Sequence, residues 1–202
     1  MLGQPIVALD YSEACLRLML RRTAGSPVLA VQADLRTLPL RSTTMAAATC
    51  IEVYSQFQRK DRDRLLAQFA RVLEPDAPLS ISAFNHTPMF RAWKLLGNSG
   101  AHEGEHMLRG DCYYLRFSRD EFRTELEGCL DIDELTGIRN TPARSLAEGL
   151  RRVGLREAGD RLLDFMVRRG HRADFVLERT PLAGALGSFW LAEVRAPTAA
   201  RS

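Results

Sequence analysis

The chain has 202 residues, 46% of them hydrophobic and 26% charged, which excludes disordered, collagen-like and disulfide-scaffold classes and predicts a single globular domain with a sizeable core. Its formal net charge of +3 arises from 28 basic and 25 acidic residues, so the concentrated basic stripe of a nucleic-acid binder is not present. Only two of the 28 basic residues are lysines, Lys60 and Lys94. The arginines are scattered and often adjoin Asp or Glu, which reads as coding composition before it reads as phosphate recognition.

The four cysteines, Cys15, Cys50, Cys112 and Cys129, lack CxxC spacing and lie in apolar or mixed segments, as reduced core thiols of a cytoplasmic protein would. No apolar run approaches roughly 18 residues, and the N-terminus lacks the basic and apolar regions of a secretory signal. A cytoplasmic location with no membrane partner is therefore expected.

In chain order, the run from Pro5 to Leu9 is short, apolar and β-branched, a strand that ends at Asp10-Tyr11-Ser12. Ser12 caps a helix predicted over Glu13 to Arg22, Gly25-Ser26-Pro27 breaks it, and Val28 to Gln32 is a second strand followed by Asp34. Met45 to Val53 suits a strand buried on both faces. Asp61 is placed to cap a helix from Arg62 to Leu73, which Pro75 terminates, and Leu79 to Phe84 is the next strand. Strands alternating with helices at these lengths predict a Rossmann-like, mostly parallel α/β sheet with flanking helices.

Beyond residue 84 the pattern changes. Residues 85–116 form a segment rich in Gly, His and Asn, suited to a lid or substrate cap within a single domain over 1–202. Ser118-Arg119-Asp120-Glu121 is a capping box that opens a helix to about Glu127, and Leu130 to Ile138 follows as a strand. Thr141-Pro142 starts a helix over Ala143 to Val153, and Leu186 to Val194 is a closing strand.

The spacing that carries chemistry is an acid at the end of the first strand (Asp10) and an acid after the next (Asp34). In an open α/β sheet ligands bind at the carboxyl ends of strands, and a carboxylate there offers two acceptor oxygens to vicinal hydroxyls or to an amino edge. The alternative role of such acids is to cap the helix or turn that follows. Val7-Ala8-Leu9-Asp10-Tyr11-Ser12, Ala33-Asp34-Leu35-Arg36-Thr37-Leu38-Pro39-Leu40, Cys50-Ile51-Glu52-Val53 and Arg71-Val72-Leu73-Glu74-Pro75 stand in this order and spacing. With them the chain resembles the class I S-adenosylmethionine-dependent methyltransferases from about Ile6 to Phe84. The pattern stays visible at Phe117 to Phe122 and in the last strand.

The resemblance implies S-adenosylmethionine as cofactor, methyl transfer to a small-molecule acceptor, and specific roles. Asp10 would bind the ribose, Asp34 and the amide of Leu35 the adenine, and the segment from Cys50 to Tyr54 would lie along the methionine part. The implied cofactor-binding residues are Asp10, Tyr11, Asp34, Leu35, Cys50 and Glu52.

Departures from the family pattern are equally specific. The family's glycine-rich loop stands about 20 residues before the ribose acid, whereas nine residues precede Asp10 here. The expected sheet is accordingly truncated at its N-terminal side, without the family's central first strand. The strands starting at Pro5 and Met45 should then become neighbours or leave an apolar cleft, and open edges would favour a homodimer. Ala46 replaces an acid, Gln56 a common histidine, and Asp76-Ala77 a frequent Gly-Gly turn. Two origins stay open: a start placed too late in a longer gene, or a catalytically inactive methyltransferase-like module used for binding or assembly.

His102-Glu103-Gly104-Glu105-His106 matches H-E-x-x-H literally, but Gly104 and the preceding Asn98-Ser99-Gly100 oppose the helix a zinc site requires. The segment is read as part of the lid, with no metal, and His102, Glu105 and His106 are candidate general bases. Tyr113 and Tyr114 are read first as core, and second as a substrate wall.

Overall fold

The structure is a computed structural model that describes residues 5–86, 105–108, 112–138, 150–151, 154–161, 164, 180 and 189–198. Most of the expected lid and, apart from 150–151, all of the helix expected over 143–153 lie outside these residues.

The β-branched run forms strand β1 (Ile6–Asp10). Ser12, with extended backbone, accepts the Cys15 N–H at 3.3 Å and opens helix α1 (Glu13–Arg22). Glu13 in the first turn and Arg21 and Arg22 in the last complement the helix dipole. Strand β2 (Val28–Gln32) returns parallel to β1, with Ile6 opposite Val28 and Asp10 opposite Gln32. All three elements fall where the sequence puts them.

The next boundaries shift. The strand expected over Met45–Val53 shrinks to β3 (Ala48–Cys50). The N–H groups of Thr43, Thr44 and Met45 donate instead to the carbonyls of Arg71 and Val72, which ties that stretch to the end of helix α2. Helix α2 (Arg59–Val72) starts three residues before the expected Arg62. Gln58 is its N-cap, and Asp61, expected as the cap, sits inside the first turn, where its charge still favours the helix. Asp76, in place of the family's glycine, adopts φ +64°, a left-handed turn that Asp tolerates, and leads into strand β4 (Pro78–Asn85).

The remaining elements are β5 (Glu105–Leu108), β6 (Cys112–Phe117), α3 (Arg119–Glu127), β7 (Asp131–Ile138) and β8 (Phe189–Arg195). The capping box is complete at α3: Ser118 accepts the Glu121 N–H, and the Glu121 carboxylate accepts the Ser118 N–H at 2.8 Å.

Six strands form one sheet in the order β5-β6-β4-β8-β7, with β3 also on β4. Strand β8 runs antiparallel between β4 and β7 and takes one edge of β4 along 78–84. The other edge carries β3 at 79–81 and the end of β6 at 84–85, both parallel to β4. The sheet is thus mixed. The parallel expectation holds for β1 with β2, β3 with β4 and β4 with β6, while the closing strands and the β5–β6 hairpin are antiparallel.

Strands β1 and β2 form a separate two-stranded sheet, and no ladder joins β1 to β3. Of the two outcomes expected for those strands, direct pairing is not the one adopted.

One face of the six-stranded sheet packs against α2 and α3 through a cluster including Tyr54, Leu65, Phe69, Ile81, Phe122 and Trp190. Among the described residues before β3, only Leu16 and Leu38 are buried hydrophobics. Helix α2 holds the two parts together: the Gln68 side chain accepts the Leu38 N–H at 3.1 Å, and Arg71 donates to the carbonyls of Leu38 (2.9 Å) and Leu40 (2.7 Å). The core-thiol expectation holds for Cys50, which is buried, and fails for Cys15, which lies on the outward side of α1.

Candidate functional site

The carboxyl ends of β1 and β2 bring four of the candidate residues together. The Ala33 N–H donates to the Asp10 carbonyl at 3.1 Å, and the Gln32 side chain donates to the Tyr11 carbonyl at 3.0 Å, so the two strand ends are stitched side by side. Asp10 accepts the Ser12 N–H through Oδ1 at 2.7 Å. Its capping role and its exposure at the strand end therefore coexist. Tyr11, 77% exposed, projects its ring into solvent beside it.

Asp34 caps a short 3-10 turn (Leu35–Thr37) by accepting the Arg36 N–H at 2.9 Å. Leu35 is the first residue of that turn, where the N–H has no partner within the turn. The Arg36 guanidinium also grips the Asp34 carboxylate, Nη2 to Oδ2 at 2.6 Å and Nε to both oxygens at 3.0 Å. These hydrogen bonds hold the Asp34 carboxyl below the usual carboxylate range, and the same contact raises the guanidinium. Asp34 is legible in the sequence as a strand-end acid, whereas its partner Arg36 is signalled only by an acid and a base two apart across a turn.

Cys50 and Glu52 stand at the end of β3, in the other sheet. The Cys50 side chain is buried in the core, and burial pushes its thiol up to about 12, so at neutral pH it is an uncharged packing group and only its backbone faces the strand end. Glu52 is held at φ +60°, with its N–H donating to the buried Ser82 hydroxyl at 2.8 Å and its carbonyl accepting from the Gln56 side chain at 2.9 Å. A left-handed non-glycine residue fixed from both sides is the kind of local strain that marks functional turns. Ser82 shares its strand with Ser80 and Asn85, so nothing in the sequence singles it out as the partner of Glu52.

Tyr54, in the stretch implied to lie along the methionine part, points the other way. It is fully buried against Phe117 and Phe122, and its hydroxyl donates to Glu125 at 2.6 Å. Arg62 completes this interior network with bonds to Glu125 at 2.8 and 2.7 Å and a stack on the Phe117 ring.

Two open depressions flank Arg36. One, of about 690 Å³, is lined by Arg36, Gln56, Phe57, Lys60, Asp61 and Arg64, and the other, of about 470 Å³, by Asp34, Arg36, Thr37, Arg64 and Gln68. The end of β6 meets β4 just beyond the end of β3 and borders the Glu52 turn. Glu105 and His106 lie in strand β5, opposite Leu115 and Tyr114, so this half of the HEGEH segment is extended, not helical. His102 lies outside the described residues. Tyr114 is buried, its ring 5.5 Å from Phe84. Among the described residues, no three His, Cys, Asp or Glu are grouped as metal ligands, and no helix is long and apolar enough to cross a membrane.

Residues 2–76 match the methyltransferase domain family model. No curated protein matches the chain at a significant level. By structure the chain is similar to a SAM-dependent methyltransferase from Methanosarcina mazei, with a TM-score of 0.63 and 14% identity over 98% of this chain and 84% of the other. It is also similar to the 1,6-didemethyltoxoflavin-N1-methyltransferase of Burkholderia thailandensis, solved with 1,6-didemethyltoxoflavin and S-adenosylhomocysteine (TM-score 0.58, 14% identity, 96% and 62% covered). A third similar structure is the [4+2]-cyclase SpnF (TM-score 0.57, 13% identity, 96% and 67% covered). The N-terminal segment of this chain thus matches the methyltransferase domain family, and the whole has the α/β fold of the S-adenosylmethionine-dependent methyltransferases.

Proposed function

We propose that the chain binds S-adenosylmethionine across the carboxyl ends of β1, β2 and β3 and passes its methyl group to a small-molecule acceptor. The observation that carries this reading is that Asp10 ends one strand of a parallel pair while Asp34 and Leu35 directly follow the end of the other.

The donor and acceptor set fits the adenosine portion of that cofactor. The Asp10 carboxylate offers acceptors to vicinal ribose hydroxyls, the Leu35 N–H suits a purine ring nitrogen, and Asp34 suits an exocyclic amino group. The exposed Tyr11 ring provides an apolar wall for a base. Bound, the cofactor supplies an electrophilic methyl carbon on a sulfonium. Asp10 and Glu52 make the strand ends acidic, which favours a ligand with cationic centres. The rigid Glu52 turn aligns the ligand, and the hairpin bordering it excludes water from one side. Acceptor choice belongs in this reading to residues 85–116, with His102, Glu105 and His106 as candidate bases.

A second reading, a catalytically inactive binding or assembly module, is favoured by one observation: Asp10 and Asp34 belong to one sheet and Glu52 to another, with no ladder between them. Titration calorimetry with S-adenosylhomocysteine separates the two. The first reading expects saturable binding that Asp10→Ala weakens about ten- to a hundredfold, the loss of a charge-assisted contact of about 1.5–3 kcal/mol. Absence of binding to the wild-type chain would overturn the first.

A further inference from the structure

The Asp34 carboxylate is already occupied. A carboxylate has about four lone-pair positions, and three donors converge on this one: the Arg36 N–H, Arg36 Nη2 and Arg36 Nε, the last shared between both oxygens. An incoming amino group meets an acceptor whose positions are filled by the guanidinium.

A second acceptor for that guanidinium stands on the opposite side. Asp61, in the first turn of α2, is 3.4 Å from Arg36 Nη1, and its side chain is 13% exposed. Arg36 lines both depressions, Asp34 only one and Asp61 only the other. Rotation of the guanidinium away from Asp34 carries it into the depression that Asp61 lines, with its charge still matched. Lys60 and Arg64 on the same wall oppose that move, which favours the Asp34-bound position when no ligand is present.

We propose that Arg36 is a latch that competes with the ligand for Asp34 and is handed to Asp61 when a purine amino group binds. The inference rests on the assignment of Asp34 to the adenine. It makes Arg36 a determinant of ligand affinity, and it makes the contact between the 3-10 turn and α2 tighten on binding.

The test is titration of S-adenosylhomocysteine into the wild-type chain and the variants Arg36→Met, Asp61→Asn and Asp34→Ala at about 0.1 M and about 1 M salt, over which the screening length falls from about 10 to about 3 Å. Release of an exposed ion pair predicts that Arg36→Met binds about two- to fivefold more tightly than wild type. Salt should tighten wild-type binding and leave Arg36→Met unchanged. Asp61→Asn should weaken binding, because the displaced guanidinium loses its second anchor. If Asp34→Ala weakens binding while Arg36→Met equals or weakens it, the latch is overturned and the adenine assignment stands. Unchanged binding in Asp61→Asn overturns the handover. If Asp34→Ala binds like wild type, the adenine assignment fails and the latch with it.

Discussion

Strands β1 and β4 both end in a polar residue at their carboxyl ends, yet they live in different environments. In β4 Leu79, Ile81 and Ala83 are completely buried against α2 and α3, whereas no residue of β1 or β2 is buried and Leu29 is 61% exposed. Parallel strands are stable when both faces are covered. The β4 region meets that condition on the face turned to α2 and α3, while the β1–β2 pair has α1, whose one buried side chain is Leu16. Burial, and with it stability, is concentrated in one region; the proposed purine-binding residues sit in the other. Binding loops drawn from the less stable end of a molecule are a general pattern.

Ion pairs should expose the contrast most strongly. Arg62 is 3% exposed and held by Glu125, so Glu125→Ala strands a buried charge and is expected to cost about 3–5 kcal/mol in urea unfolding. The equivalent change in the other region, Glu13→Ala, removes an exposed partner of Arg17 and should cost under about 0.5 kcal/mol. Equal losses would break the comparison. Replacing Arg62 and Glu125 by Leu together with Tyr54 by Phe should recover much of the loss, because the desolvation of the pair disappears and no buried hydroxyl is left without its acceptor.

Packing sharpens the same point. Leu66→Ala, at a completely buried site on α2, is expected to lower stability by about 2–5 kcal/mol, while Leu29→Ala should stay within about 0.5 kcal/mol. Amide hydrogen exchange on the wild type should rank the regions alike, with β4 and β8 slowest and β1 and β2 exchanging through local opening.

The Glu52 turn lies where the two regions would share a ligand. Glycine carries no penalty at φ +60°, so Glu52→Gly should raise stability by about 1 kcal/mol in thermal unfolding while weakening S-adenosylhomocysteine binding. A gain in both would remove Glu52 from the site.

The smallest effect is in acid. Arg36 lowers the Asp34 carboxyl and the Ser118 cap lowers that of Glu121. A carboxyl lowered in the folded state adds stability that is complete above its ordinary value near 4 and is lost as pH falls through the lowered one. Asp34→Asn and Glu121→Gln should therefore each flatten the acid limb of a stability profile. If only Glu121→Gln does so in the global transition, the β1–β2 region unfolds on its own.

Much of this was legible in the amino-acid sequence wherever the cause is local. The Ser12 cap and the Glu13–Arg22 helix, the 118–121 capping box and the strand of Val28–Gln32 need no more than neighbours within four residues, and they occur as read. The acids at the strand ends were equally visible, because strand ends follow from the alternation of elements. Tertiary structure decided what depends on distant partners. It cut the Met45–Val53 strand short by engaging its start with the end of α2, and it inserted β8 antiparallel between β4 and β7. It turned Tyr54 inward to meet Glu125. It also set Arg36 between two carboxylates, one of them 25 residues away in sequence and on a different element, a juxtaposition that only the packing of α2 on the 3-10 turn creates.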